Sequence, residues 1–129
     1  MNPLVLEWID KAEGDFATAQ RELRARKSPN YDAACFHAQQ MAEKYLKAFL
    51  QMNGLAPPRS HDLVELLALA LSFQPHLALL ESDLKSLNAF AVQFRYPGQS
   101  AEKTDARSAV EAAKVVRVQL RLLLVDKPQ

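Results

Sequence analysis

Between Tyr31 and Asn53 the chain carries a long run of helical periodicity with no glycine or proline to interrupt it. At about 100° per residue, Tyr31, Ala34, Cys35, Ala38, Met41, Ala42, Tyr45, Leu46, Phe49 and Met52 share one broad face. His37, Gln40, Lys44 and Gln51 fall on one flank, and Gln39, Glu43 and Leu50 on the other. Phe36 points nearly opposite to the main stripe. A helix with apolar residues beyond one face is covered by more than one neighbour. Its amides and charges then lie between packed helices, where a group left unpaired costs about 1–3 kcal/mol. This segment is expected to be the centre of the fold, with Asp15, Gln40 and Glu43 as a structural polar network around it.

The rest of the chain is punctuated as helices. It has three glycines, and its seven prolines sit mostly at segment edges. Asn2 and Pro3 suit the start of a first helix, since proline lacks the N–H that would be orphaned there. Val5, Trp8, Ile9, Ala12, Phe16, Ala19 and Leu23 form its stripe. Arg21, Arg24, Arg26 and Lys27 crowd its C-terminal end, where the helix dipole favours cations. Ser28-Pro29-Asn30 stops it, and Asn30 caps the central helix, which ends at Asn53-Gly54 before the stiff Pro57-Pro58 connection. Ser60 is expected to cap a third helix with Leu63, Leu66, Leu67, Ala70 and Phe73 inward. After Pro75 a fourth carries Leu77, Leu80, Leu84, Leu87, Ala91 and Phe94, until Tyr96-Pro97-Gly98 breaks it. A last helix runs from about Ala101 to Leu124. The fold class is all-α: a compact up-and-down bundle of four to five helices with two long antiparallel helices first, one domain over 1–129.

Sixteen Lys and Arg balance fifteen Asp and Glu, so net charge selects no class of partner. The single Cys35 has no internal partner and lies on an apolar face, as a small buried hydrophobe would. No secretory leader opens the chain and no run is long enough to span a bilayer, which predicts a cytoplasmic protein without membrane contact. Glycine-rich phosphate loops, paired histidines and nucleophile elbows are missing, so no metal or cofactor is expected.

Three polar features remain. Arg95-Tyr96-Pro97 places a guanidinium at a helix break, free either to grip a phosphate bidentately or to pair with Glu43 or Asp15 and lock the bend. His61-Asp62 opens the third helix, where a histidine can meet an anion or merely pack. Lys103, Arg107, Lys114, Arg117 and Arg121 fall within about 40° of one line, a ridge able to track phosphates or simply to face solvent. His37 reads as a hydrogen-bonded residue at the core edge. Phe36 and Leu50 are expected to share an outward side that a second copy of the chain can cover.

The order Trp8-x-x-Lys11-Ala12-Glu13-x-Asp15, then Tyr31-Asp32-Ala33-Ala34-Cys35-Phe36-His37-Ala38-Gln39-Gln40-x-x-Glu43-Lys44-x-Leu46-Lys47-Ala48, then His61-Asp62-Leu63 and Arg95-Tyr96-Pro97, closely resembles a HEPN (higher eukaryotes and prokaryotes nucleotide-binding) domain. The resemblance covers nearly the whole chain. It implies a helical bundle, a homodimer, and a minimal nucleotidyltransferase partner in a toxin–antitoxin-like module. Many such domains are metal-independent RNases that use an arginine and a histidine separated by four to six intervening residues. Arg95 stands where that arginine belongs, but the positions after it hold Ser100, Ala101 and Glu102. None of these is an imidazole acid or base.

The leading expectation is therefore a non-catalytic domain binding a nucleotide or a nucleotidylated group through Arg95, Tyr96, His61 and Lys44 or Lys47, with RNA as a further partner class. A divergent RNase using His61 or His37, and a dimeric interaction scaffold, are the alternatives.

Overall fold

The computed structural model describes residues 1–126; residues 127–129, the end of the expected domain, lie outside the described residues. Five helices follow in order: α1 (Pro3–Arg24), α2 (Tyr31–Met52), α3 (Leu63–Leu71), α4 (Glu81–Gln93) and α5 (Lys103–Leu124). A 3₁₀ segment, Pro75–Leu80, leads into α4. No helix among the described residues is long and apolar enough to cross a membrane.

Local chemistry sets most of the ends. Asn2 and Asn30 cap α1 and α2 through their side-chain oxygens, at 2.8 and 2.9 Å from the backbone N–H groups of Leu4 and Ala33. Gly54 and Gly98 take φ of +83° and +103°, the left-handed region that glycine enters without penalty. Helix α1 ends at Arg24, so Arg26 and Lys27 belong to the turn beyond it.

Three expectations change here. Asp62, not Ser60, caps α3, accepting from Val64 N–H at 2.9 Å, while the Ser60 hydroxyl donates to Glu65. Phe73 follows α3 and is exposed, because the helix stops before that turn of the pattern. The fourth apolar run is split, its first turn being 3₁₀ with Leu77 and Leu80 buried and the remainder α4.

Helix α2 is the core. α1 runs antiparallel to it, with Trp8 beside Lys47 and Asp15 beside His37, and α3, α4 and α5 all pack on it. Met41, Tyr45, Leu46 and Leu50 are fully buried. Leu50 therefore cannot join Phe36 on an outward surface; α2 is wrapped so fully that its flank is interior.

A polar tie joins the three long helices. Arg117 on α5 donates two hydrogen bonds to the Glu13 carboxylate on α1, at 2.7 and 2.6 Å. The buried Tyr45 hydroxyl on α2 donates to the same carboxylate at 2.7 Å, and Arg121 donates to Tyr45 at 3.3 Å. Arg117 hydrogen bonding holds the Glu13 carboxyl below its usual 4.5, with Tyr45 adding to the effect and burial opposing it. Burial pushes the Tyr45 phenol up to about 12. A depressed carboxyl contributes stability that is complete above 4.5 and is lost as pH falls through the lower, folded value. Glu13→Gln is expected to cost about 1–2 kcal/mol at neutral pH, and to flatten the dependence of stability on pH below 4.5. Urea denaturation across that pH range checks it; parallel curves for the two proteins would refute the tie.

Candidate functional site

The polar residues of α2 sort into two clusters on opposite flanks. On the α1 side, Asp15 accepts from His37 Nδ1 at 2.7 Å and from Lys44 Nζ at 2.6 Å. On the other side, Glu43 accepts from Lys47 Nζ at 3.1 Å and from His61 Nδ1 at 3.1 Å. Gln40 donates to Gln39 at 2.8 Å and to Glu43 at 3.4 Å. Gln39 in turn donates to the His61 backbone carbonyl at 3.0 Å. Gln39 and Glu43 thus hold both the backbone and the ring of His61, docking the segment ahead of α3 onto α2. Every fully buried side-chain nitrogen and oxygen among the described residues is hydrogen-bonded, as a buried polar network requires.

A carboxylate only accepts, so the His61 proton sits on Nδ1, and a neutral ring presents the Nε2 lone pair. The side chain is 78% exposed. It opens into a groove of about 350 Å³, lined also by Gln39, Asp62, Asn88, Val92 and Arg95. Asn88 closes one end, donating to Asp62 at 2.8 Å and accepting from Leu63 N–H at 3.1 Å, which ties α4 to the start of α3. Asn88, and next the Val64 N–H, keep the Asp62 carboxyl below its ordinary value, so the groove holds one fixed negative charge.

Arg95 stands just beyond the C-terminal end of α4 and is exposed. Neither Glu43 nor Asp15 pairs with it, and no salt bridge to it forms among the described residues. Of the two alternatives for Arg95, the ion pair locking the bend is absent among the described residues, and the guanidinium lines the groove. His61 and Arg95, from segments distant in the sequence, line the same groove.

Other expected site residues are not brought there. Lys47 is buried, its ammonium between Glu43 and the Trp8 ring at 5.7 Å, so it cannot reach a ligand. Lys44 is committed to Asp15 on the far flank, with His37. Tyr96 is 66% exposed and does not line the groove. The α5 ridge is also broken up. Lys114 meets Glu111, Arg117 and Arg121 are taken by Glu13 and Tyr45, and only Lys103 and Arg107 of the five stay unpaired among the described residues. Periodicity aligns those five residues on one helix but carries no information about the α1 carboxylate facing them. Asn88 and Glu13 have no site role legible in the sequence; an isolated Asn88 inside a helix offers no local signal.

A sequence model of the HEPN domain matches residues 5–121. The chain belongs to the HEPN family. Two solved structures are similar along almost their whole length. One is TT1696 from Thermus thermophilus, 25% identical with a TM-score of 0.76, covering 94% of this chain and 98% of that one. The other is ST0689, an archaeal HEPN homologue, 26% identical with a TM-score of 0.64, covering 93% and 99%. No curated protein sequence matches the chain. The helical bundle expected from sequence is the HEPN fold, and the groove described above lies within the matched residues.

Proposed function

We propose that this HEPN protein recognises a phosphate-bearing nucleotide group in the Arg95–His61 groove, as a homodimer acting with a minimal nucleotidyltransferase in a toxin–antitoxin-like module. The observation carrying the ligand class is the pairing of an uncommitted guanidinium with an anchored imidazole on one groove. A guanidinium matches two phosphate oxygens, and a neutral or charged imidazole adds a third contact. Family membership supports the dimer and the partner. Charge-assisted hydrogen bonds contribute about 1.5–3 kcal/mol, so Arg95→Ala is expected to weaken binding about 10- to 100-fold. Calorimetric titration with purine and pyrimidine nucleoside triphosphates checks this. Absence of heat with the unaltered protein removes the ligand assignment.

The shared groove also favours a second reading, metal-independent RNA cleavage. The His61 Nε2 lone pair takes the proton of a 2′-hydroxyl, whose oxygen attacks the adjacent phosphorus. Arg95 balances the charge gathering on the phosphoryl oxygens, and the 5′-oxygen leaves, taking a proton from water. His37 has no part in it, being held by Asp15 outside the groove. Incubation with total RNA in a chelator distinguishes the readings: cleavage lost in both His61→Ala and Arg95→Ala establishes turnover, and intact RNA leaves recognition alone.

A further inference from the structure

At the opposite end of α5 from its Glu13 contacts lies a second, differently built feature. A pocket of about 640 Å³ is lined by Arg24 at the end of α1, Arg26 in the turn after it, Tyr31 at the start of α2, and Lys103 and Arg107 from the first turns of α5. No carboxylate lines it, and none of the four cations forms a salt bridge among the described residues. The acids nearest in sequence are turned to backbone instead. Glu22 accepts from Asn30 N–H at 2.9 Å, Asp32 from Ala101 N–H at 2.6 Å, and Asp105 from Glu102 N–H at 2.8 Å in a capping box. Arg117 and Arg121 of α5 are neutralised by Glu13 of α1; Lys103 and Arg107 at its other end are not.

This arrangement is unfavourable for the protein on its own. Four like charges repel, and Lys103 occupies the first position of α5, where the helix dipole favours an anion. Their summed field draws a multiply charged anion. We propose that this pocket is a second phosphate-binding site, separate from the Arg95–His61 groove and taking several phosphate groups at once. Its position indicates where such a ligand continues. Asn30 and Asp32, on either side of Tyr31, line a second pocket together with Phe36, Phe90, Phe94 and Arg95. A single strand anchored by its phosphates at the basic end therefore meets aromatic faces able to stack bases before reaching Arg95. The phosphates come either from such a strand or from a free polyphosphate, and the two are separable.

The test uses the full chain and two probes, inorganic tripolyphosphate and a labelled single-stranded oligoribonucleotide, at fixed low ionic strength. The variants are Arg24→Ala with Arg26→Ala, and Lys103→Ala with Arg107→Ala, beside Arg95→Ala and the remote exposed Lys85→Ala. None of the four pocket positions is buried, so melting temperatures should match the parent protein. Each pocket pair is expected to weaken binding at least about tenfold, and for RNA to reduce the log–log salt slope by about 0.7 per cation removed. Tripolyphosphate binding that survives Arg95→Ala and fails in both pocket pairs identifies a site for free polyphosphate. RNA binding with that same loss, and none of tripolyphosphate, identifies a strand-anchoring site. Pocket variants no weaker than Lys85→Ala with both probes overturn the proposal, while leaving any Arg95-dependent nucleotide binding untouched.

Discussion

Glu43→Ala is expected to lower the free energy of unfolding by about 3–5 kcal/mol, read as a shift in the urea midpoint. The loss comes less from the bonds removed than from what stays behind. Lys47, with its side chain 6% exposed, would keep an ammonium in the interior with its carboxylate gone and only the Trp8 face nearby. Gln40 and His61 would each lose an acceptor in the same step. Glu43→Gln keeps an oxygen for Lys47 or His61 and should cost clearly less. If the alanine variant loses under about 1 kcal/mol, water has reached Lys47 and the cluster does not pin the fold. Ligand binding separates the roles further. A pure scaffold predicts a lower melting temperature with no change in nucleotide affinity, whereas Glu43 as the anchor of His61 predicts both.

Cys35 should react with a thiol-specific disulfide reagent at least about a thousandfold more slowly in the native protein than in the unfolded chain. The side chain is fully buried on α2. Burial first, then the charges of Asp105 and Asp32, push the thiol from 9.0 up to about 12. That rise alone cuts the reactive thiolate about a thousandfold at mildly alkaline pH, before access is considered. Labelling must then wait for the bundle to open, so its rate reports the opening equilibrium. The two predictions are linked: destabilising the bundle through Glu43→Ala should accelerate labelling of Cys35 in proportion. Prompt reaction of the native protein would show that α2 is not enclosed as described.

Much of this molecule is legible in its residues. Asn2, Asn30 and Gly54 mark helix ends because capping and left-handed turns act over three or four residues. The α2 stripe implies several neighbours, and its polar flanks imply partners; both are found. Ser60 departs from expectation because competing caps lie two residues apart, and only the docking of His61 by Gln39 decides between them. Phe73 departs from it because an apolar spacing continues past the point where the helix stops. Lys44 and Lys47 resemble ligand contacts in sequence, since a lysine on a helix flank looks the same whether a carboxylate awaits it or not.

Sequence alone determined an all-helical bundle of four to five helices, the central place of α2 and the family resemblance, because each is written in local spacings and motifs. Tertiary structure alone decided which charges remain available. Glu13 consumes Arg117 and Arg121, no salt bridge among the described residues consumes Arg95 or Arg107, and His61 comes from a distant segment to line the same groove as Arg95. Neutralisation of a charge falls off within a few ångströms and is indifferent to chain order, so only packed helices reveal it.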